Sequence, residues 1–121
     1  MPSITPAAKA WFDVALLEIK EGLDPLAREH GSQTIQNIFD YYYQMSDTVD
    51  YKGYMKGVGD RSGIIRPWHV FLQDYPLVLT PFLMRPTYDY DHDETFEGSK
   101  DLFDSAIYSY GINYMGLPAG V

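Results

Sequence analysis

Ala8, Trp11, Phe12, Ala15, Leu16 and Ile19 recur at intervals of three and four, which places them on one face of a helix. Thr5 followed by Pro6 reads as its N-cap and first turn, and Gly22 as its stop. Asp24 and Pro25 restart a shorter turn that Gly31 ends. Ser32 then caps a second amphipathic helix with Ile35, Ile38, Phe39, Tyr42 and Met45 on one side. Ser46 and Asp47 begin a third segment through Val49, Tyr54, Met55 and Val58. Gly53, Gly57 and Gly59 weaken it, since each glycine costs a helix up to ~1 kcal/mol relative to alanine. Helical spacing returns beyond Asp60 in Ile64, Ile65, Trp68, Phe71, Leu72 and Tyr75, with Pro67 either kinking that helix or starting its second part.

The pattern then changes. Leu77, Val78, Leu79 and Thr80 form a run without polar alternation between Pro76 and Pro81, as in a strand buried on both faces of a parallel or mixed sheet. An irregular stretch, 82–97, follows, and Ser99 is expected to cap a helix whose inward face is Leu102, Phe103, Ala106, Ile107 and Tyr110. No internal repeat is evident, and the only compositional cluster is Tyr41, Tyr42 and Tyr43. Four helices therefore precede one strand that has no partner in the chain. Buried alone, such a strand would leave backbone groups unsatisfied at about 1 to 3 kcal/mol each, so the pattern reads as a piece of something larger.

At 121 residues the chain is sized for one domain, and a 45% hydrophobic, 16% aromatic composition is enough to build a core. A net charge of −8 opposes phosphate backbones and anionic membranes, so neither nucleic acid nor a membrane is an expected partner. The absence of cysteine removes disulfides, thiolate metal sites and a cysteine nucleophile, and it suits a reducing compartment. Charges at Lys9, Asp13, Glu18 and Lys20 interrupt any leader-like apolar run, and the longest uncharged apolar stretch, 76–84, is too short to span a bilayer. A cytoplasmic location is expected.

Candidate chemistry is thin. Asp89, Asp91 and Asp93 alternate, and with Glu94, Glu97, Asp101 and Asp104, relieved only by Lys100, they invite a calcium reading. Counted from Asp89, however, the position that needs a turn-forming glycine is Glu94, and the position that needs a bidentate carboxylate is Lys100. A solvated loop leading into a helix N-terminus is the better account. His30, His69 and His92 lack a second ligand at helical spacing. His69 reads as a packed or surface imidazole, and His92 lies among carboxylates that favour its charged form. Among the serines only Ser32, Ser62 and Ser99 adjoin a glycine, and none lies in a G-x-S-x-G frame. The aromatic stripe 39–43 suits a pocket wall or a core with a wet edge. No catalytic, cofactor-binding or metal-ligating residue is assigned, and no cofactor is expected.

Residues 61–93, RSGIIRPWHVFLQDYPLVLTPFLMRPTYDYDHD, and 108–120, YSYGINYMGLPAG, resemble the later part of amidase-signature enzymes. In that family an aromatic-rich helix runs into a D-x-x-x-x-P strand, here between Asp74 and Pro81 with Tyr75 and Pro76 shifting the spacing. A later helix enters an N-x-x-G-x-P-A turn, matched by Asn113, Gly116, Pro118 and Ala119. Indoleacetamide hydrolase-like and related carboxamide-cleaving members share a W-x-x-F-x-x-Y-P-L-V-L-x-P run, echoed by Trp68, Phe71, Tyr75, Pro76, Leu77, Val78, Leu79 and Pro81.

The resemblance implies a hydrolase that cleaves carboxamides through a Ser, cis-Ser, Lys triad. The family's Gly-Gly-Ser-Ser-Gly-Gly tract is missing, and the catalytic lysine belongs upstream of the matched region, so Lys9, Lys20, Lys52, Lys56 and Lys100 inherit no role. It further implies an α/β fold: a partial amidase domain over 1–121, mostly helical, with one or two strands of an incomplete mixed sheet. Residues 1–75 would be helical cover and pocket region, and 76–121 would carry the strand, acidic loop, helix and Pro-Ala turn. Such a chain is expected to be cut at both ends and inactive alone. Its expected partners are an amide substrate in the full enzyme and a companion amidase segment or a second copy. The alternative reading is a freestanding helical module that binds a small molecule or protein.

Overall fold

The structure, a computed structural model, describes residues 1–46 and 50–120. The expected start of a third segment at Asp47 and Val49 lies outside the described residues. Among the described residues six α-helices form: α1 (Thr5–Glu18), α2 (Asp24–His30), α3 (Gln33–Met45), α4 (Tyr51–Asp74), α5 (Phe96–Ser105) and α6 (Ile107–Met115). A π-helical turn, Ile19–Leu23, joins α1 to α2, and a 3-10 turn, His92–Glu94, precedes α5.

Helix α1 is central and packs on both α4 and α6. Ile4, Ala7 and Ala10 at its N-terminal end meet Trp68 of α4 and Tyr114 and Met115 of α6, forming the buried core. Small residues make the crossings close. A Cβ on Gly57 of α4 would lie 2.7 Å from Val14, and one on Gly111 of α6 would lie 2.5 Å from Ile4. Gly57 and Gly111 are thus needed where the helices approach, and packing outweighs their intrinsic cost, whereas a Cβ on Gly59 would meet nothing within 4 Å. On the other side, α3 packs on α5 through aromatic edges, with Tyr42 perpendicular to Phe103 at 4.6 Å.

Most apolar faces read from the sequence hold, although Met55, Val58 and Tyr75 of the third and fourth segments are exposed. Ala8 and Leu16 of α1, Ile38 and Phe39 of α3, and Ala106 between α5 and α6 are buried, and Trp68 is in the core. Ser32 caps α3 by accepting from Ile35 N at 3.4 Å, and Gly31 ends α2. Several boundaries differ. Ile4, not Thr5, occupies the cap of α1, while Gly22 lies inside the π turn instead of stopping the helix. The expected third and fourth segments are one 24-residue helix started by Asp50, whose carboxylate accepts from Gly53 N at 2.7 Å. Pro67 lies within it; the ring removes one backbone bond, and the neighbouring Ile64, Ile65 and Trp68 hold the helix to the core. Thr95, not Ser99, caps α5 by accepting from Gly98 N at 3.1 Å.

The expectation of an α/β fold with strands of a mixed sheet is overturned: among the described residues there is no strand, and the architecture is all-helical. Residues 77–80 cross the surface as irregular chain. Val78 and Thr80 are half-buried towards Trp68, Leu72 and Leu117, whereas Leu77 and Leu79 are 91% and 100% exposed. The physical reason is pairing. A strand exists only through a neighbour's donors and acceptors, and Pro76 and Pro81 have no N–H to offer a ladder. The segment is instead pinned at its flanks, where Tyr75 N donates to Phe71 O at 3.1 Å and Met84 N to Ser105 O at 2.8 Å.

The turn matched by Asn113 and Gly116 closes α6. Gly116 adopts φ 68°, ψ 28°, and its N–H and that of Leu117 return to the Ile112 carbonyl at 3.1 and 3.3 Å. Arg61 reaches across from α4 and donates to the Tyr114 and Met115 carbonyls at 2.8 and 3.1 Å, placing a cation on the negative end of the α6 dipole. Replacing Arg61→Met is expected to destabilise the chain by about 1.5 to 3 kcal/mol, the range for bonds to a charged group. Gly116→Ala should cost about 1 to 2 kcal/mol through its left-handed backbone, and a Cβ there would also lie 2.5 Å from the Arg61 guanidinium. Urea unfolding followed by circular dichroism measures both.

Candidate functional site

The residues singled out for chemistry do not converge. His30 ends α2 on the surface, 3.6 Å from the Glu29 carboxylate, and His69 is exposed on α4. His92 alone is engaged, with Nε2 3.0 Å from Asp101 Oδ2. The acidic stretch is divided among separate partners. Asp101 takes both His92 and Arg85, Asp104 pairs with Lys100, and Glu94 accepts from the Thr34 hydroxyl at 3.4 Å. Among the described residues no group of three or more histidine or acidic side chains is placed to hold a metal ion. Tyr88 binds this loop to α5. Its ring lies 4.7 Å from the His92 ring and 4.6 Å beneath the Arg85 guanidinium, and its hydroxyl bonds to the Asp101 carbonyl and Ser105.

Serine and lysine chemistry is equally dispersed. Ser32 is a cap, Ser62 is exposed on α4, and the buried Ser99 donates to the Asp93 carbonyl at 2.7 Å. Lys9, Lys56 and Lys100 each pair with an aspartate one helical turn on, Asp13, Asp60 and Asp104. The Asp60 hydrogen bond pushes the Lys56 pKa up, the reverse of what a neutral lysine base requires. Asn113, matched in the amidase-like turn, accepts from Trp11 Nε1 at 3.0 Å, so it ties α6 to α1. Together with Gly116 it serves the fold.

Two surface features remain. The first is a cleft of about 450 Å³ between α1, the end of α3 and the α5/α6 pair. Phe12 meets Phe103 edge-on at 4.9 Å, and Tyr110 is stacked on Trp11 at 4.6 Å and tilted against Phe103 at 5.2 Å. The stripe 39–43 contributes only its support. Tyr42 backs Phe103, Tyr41 backs Phe96, and Tyr43 turns towards Asp24 and Arg28. Sequence reading placed Phe12 and Phe103 on inward faces of separate helices, and nothing in their spacing signals that they meet. The second feature is the exposed apolar ridge of Tyr75, Leu77, Leu79 and Phe82.

Burial raises the phenols of Tyr42, Tyr110 and Tyr114 above their ordinary value and pushes that of Tyr43 up to about 12, the nearby Asp24 carboxylate adding to it. The native chain therefore holds phenolic protons that the unfolded chain releases first. The stability carried by Tyr43 is complete below pH 10.0 and is lost as pH rises towards about 12. Ultraviolet titration should show a tyrosine population ionising later than the exposed one, with stability falling over that same window.

No family model matches the chain, and no solved structure matches it. Two curated proteins do. The chain is 27% identical over 124 residues to the indoleacetamide hydrolase of Bradyrhizobium diazoefficiens, an alignment covering 100% of this chain and 24% of that protein. It is 27% identical to the indoleacetamide hydrolase of Bradyrhizobium japonicum, again over its whole length and over 26% of that protein. The chain spans about a quarter of the length of these curated relatives. The amidase resemblance carried by the Tyr-Pro-Leu-Val-Leu run and the Asn113 to Ala119 turn is thus matched over the entire chain: it is similar to a region of indoleacetamide hydrolases.

Proposed function

We propose that this chain is a partial amidase domain, one part of an enzyme that hydrolyses a carboxamide to a carboxylate and ammonia or an amine. The observation that carries the reading is the end-to-end similarity to two indoleacetamide hydrolases. The chain contains neither a Gly-Gly nor a Ser-Ser dipeptide, and Lys56, whose pKa the Asp60 hydrogen bond raises, is unsuited to act as a base. Alone it does not cleave amides. The nucleophile comes from an amidase segment outside these residues that covers the Leu77, Leu79 and Phe82 ridge, whose exposure supports an apolar partner there. The absence of cysteine suits the cytoplasm as the compartment. No helix of the described residues is long and apolar enough to cross a membrane.

A second reading, a freestanding helical binding module, is favoured by the enclosed core from Ile4 to Met115 and by the aromatic cleft. Melting behaviour separates the two. A ridge awaiting a partner predicts self-association and binding of hydrophobic dye, both reduced by Leu79→Asp, whereas an independent module melts cooperatively as a monomer.

The purified chain is expected to leave a simple carboxamide untouched and to escape labelling by a fluorophosphonate serine probe. Co-expression with a polypeptide carrying the serine tract should restore turnover, and Leu79→Asp should abolish the restoration. Turnover and stoichiometric labelling of the chain by itself would overturn the proposal.

A further inference from the structure

The two helices that wall the aromatic cleft carry the same five-residue pattern. Lys9, Phe12 and Asp13 of α1 and Lys100, Phe103 and Asp104 of α5 both read K-x-x-F-D. In the folded chain the copies face each other. Their phenylalanines meet at 4.9 Å to form the floor, and each lip presents a lysine and an aspartate one turn apart. Tyr110, Ile107 and Phe96 complete the apolar lining. The volume of about 450 Å³ lies within the ~300 to 1,000 Å³ typical of small-molecule sites.

The geometry points to a binding site for an aromatic α-amino acid. An aromatic side chain finds edges and faces of like rings on the floor. The lips decide the head group. An anion would meet Asp13 and Asp104 as well as the two lysines, and a cation would meet the lysines as well as the aspartates. A zwitterion satisfies both signs at once: its carboxylate faces a lysine and its ammonium an aspartate. The exposed Lys100 and Asp104 pair, one turn apart, is weak enough to yield to a ligand, whereas Asp13 is held in place by the Ser46 hydroxyl, from which it accepts at 3.3 Å. The Lys9, Lys100 and Asp104 side chains are 60%, 54% and 64% exposed, so these charges line the mouth, while Asp13, 19% exposed, lies at the depth of the half-buried rings. This site is independent of the amide chemistry proposed above, since it uses neither the ridge nor a companion chain.

Calorimetric titration of the whole chain tests it with four probes: L-phenylalanine, 3-phenylpropionate, phenethylamine and indole-3-acetamide. L-phenylalanine is expected to bind about tenfold more tightly than either singly charged analogue, a difference of ~1.4 kcal/mol. Replacing both lysines by Lys9→Gln and Lys100→Gln should weaken L-phenylalanine severalfold and leave phenethylamine no weaker. Replacing Asp13→Asn and Asp104→Asn should also weaken L-phenylalanine severalfold, here sparing 3-phenylpropionate. These substitutions line the cleft, and unchanged thermal melting confirms that each variant is folded. Equal binding of all four probes, no binding of L-phenylalanine, or preference for the neutral carboxamide would overturn the inference. The carboxamide-turnover assay with a companion chain is untouched by any of these outcomes, so the two proposals fail separately.

Discussion

The fold depends on how closely α1 is held between α4 and α6. Ala7 and Ala10 leave room on α1, Gly57 and Gly111 leave room on its neighbours, and a methyl group at either glycine would collide with Val14 or Ile4. With the backbones this near, Arg61 of α4 can reach the last carbonyls of α6, more than fifty residues away in sequence. Trp11 reaches Asn113 in the same way. These polar bonds sit at the edge of an apolar contact that brings their partners together, so they are consequences of the packing and then fasten it.

The electrostatics follow a different rule. Almost every charged side chain considered for chemistry finds its partner one helical turn away or in the neighbouring loop: Lys56 with Asp60, Lys100 with Asp104, and Arg85 and His92 with Asp101. Local pairing of this kind keeps a strongly acidic chain from repelling itself at short range, and at Lys56 it favours the charged form. It is the opposite of a catalytic arrangement, in which burial separates a base from its counter-ions. The exposed Leu77 and Leu79 contrast with this order. Their faces are apolar without a cover, next to a helical body whose own core is closed.

Helical periodicity was legible because it reports a local requirement: one face must leave water whatever it meets. The faces of α1 and α3 could be read for that reason, as could the Ser32 cap, whose bond spans three residues, whereas the run from Leu102 to Tyr110, expected as one helix, divides at Ala106 into α5 and α6. The amidase likeness was also legible, since residue identities at Trp68, Leu77, Asn113 and Gly116 survive without coordinates. The strand was misread because an unalternating apolar run states that both faces avoid water, not that a neighbour is present to pair with it.

Sequence by itself therefore determined most apolar faces, where α2 and α3 begin, and which known enzymes the chain resembles, because each of these is encoded within a few residues. Tertiary structure alone decided that the runs containing Tyr54 and Trp68 form one helix, that residues 77–80 lie unpaired on the surface, and that two K-x-x-F-D segments confront each other across a cleft. Those outcomes depend on contacts between residues far apart in the chain. Periodicity shows which way a side chain faces, and only packing shows what it faces.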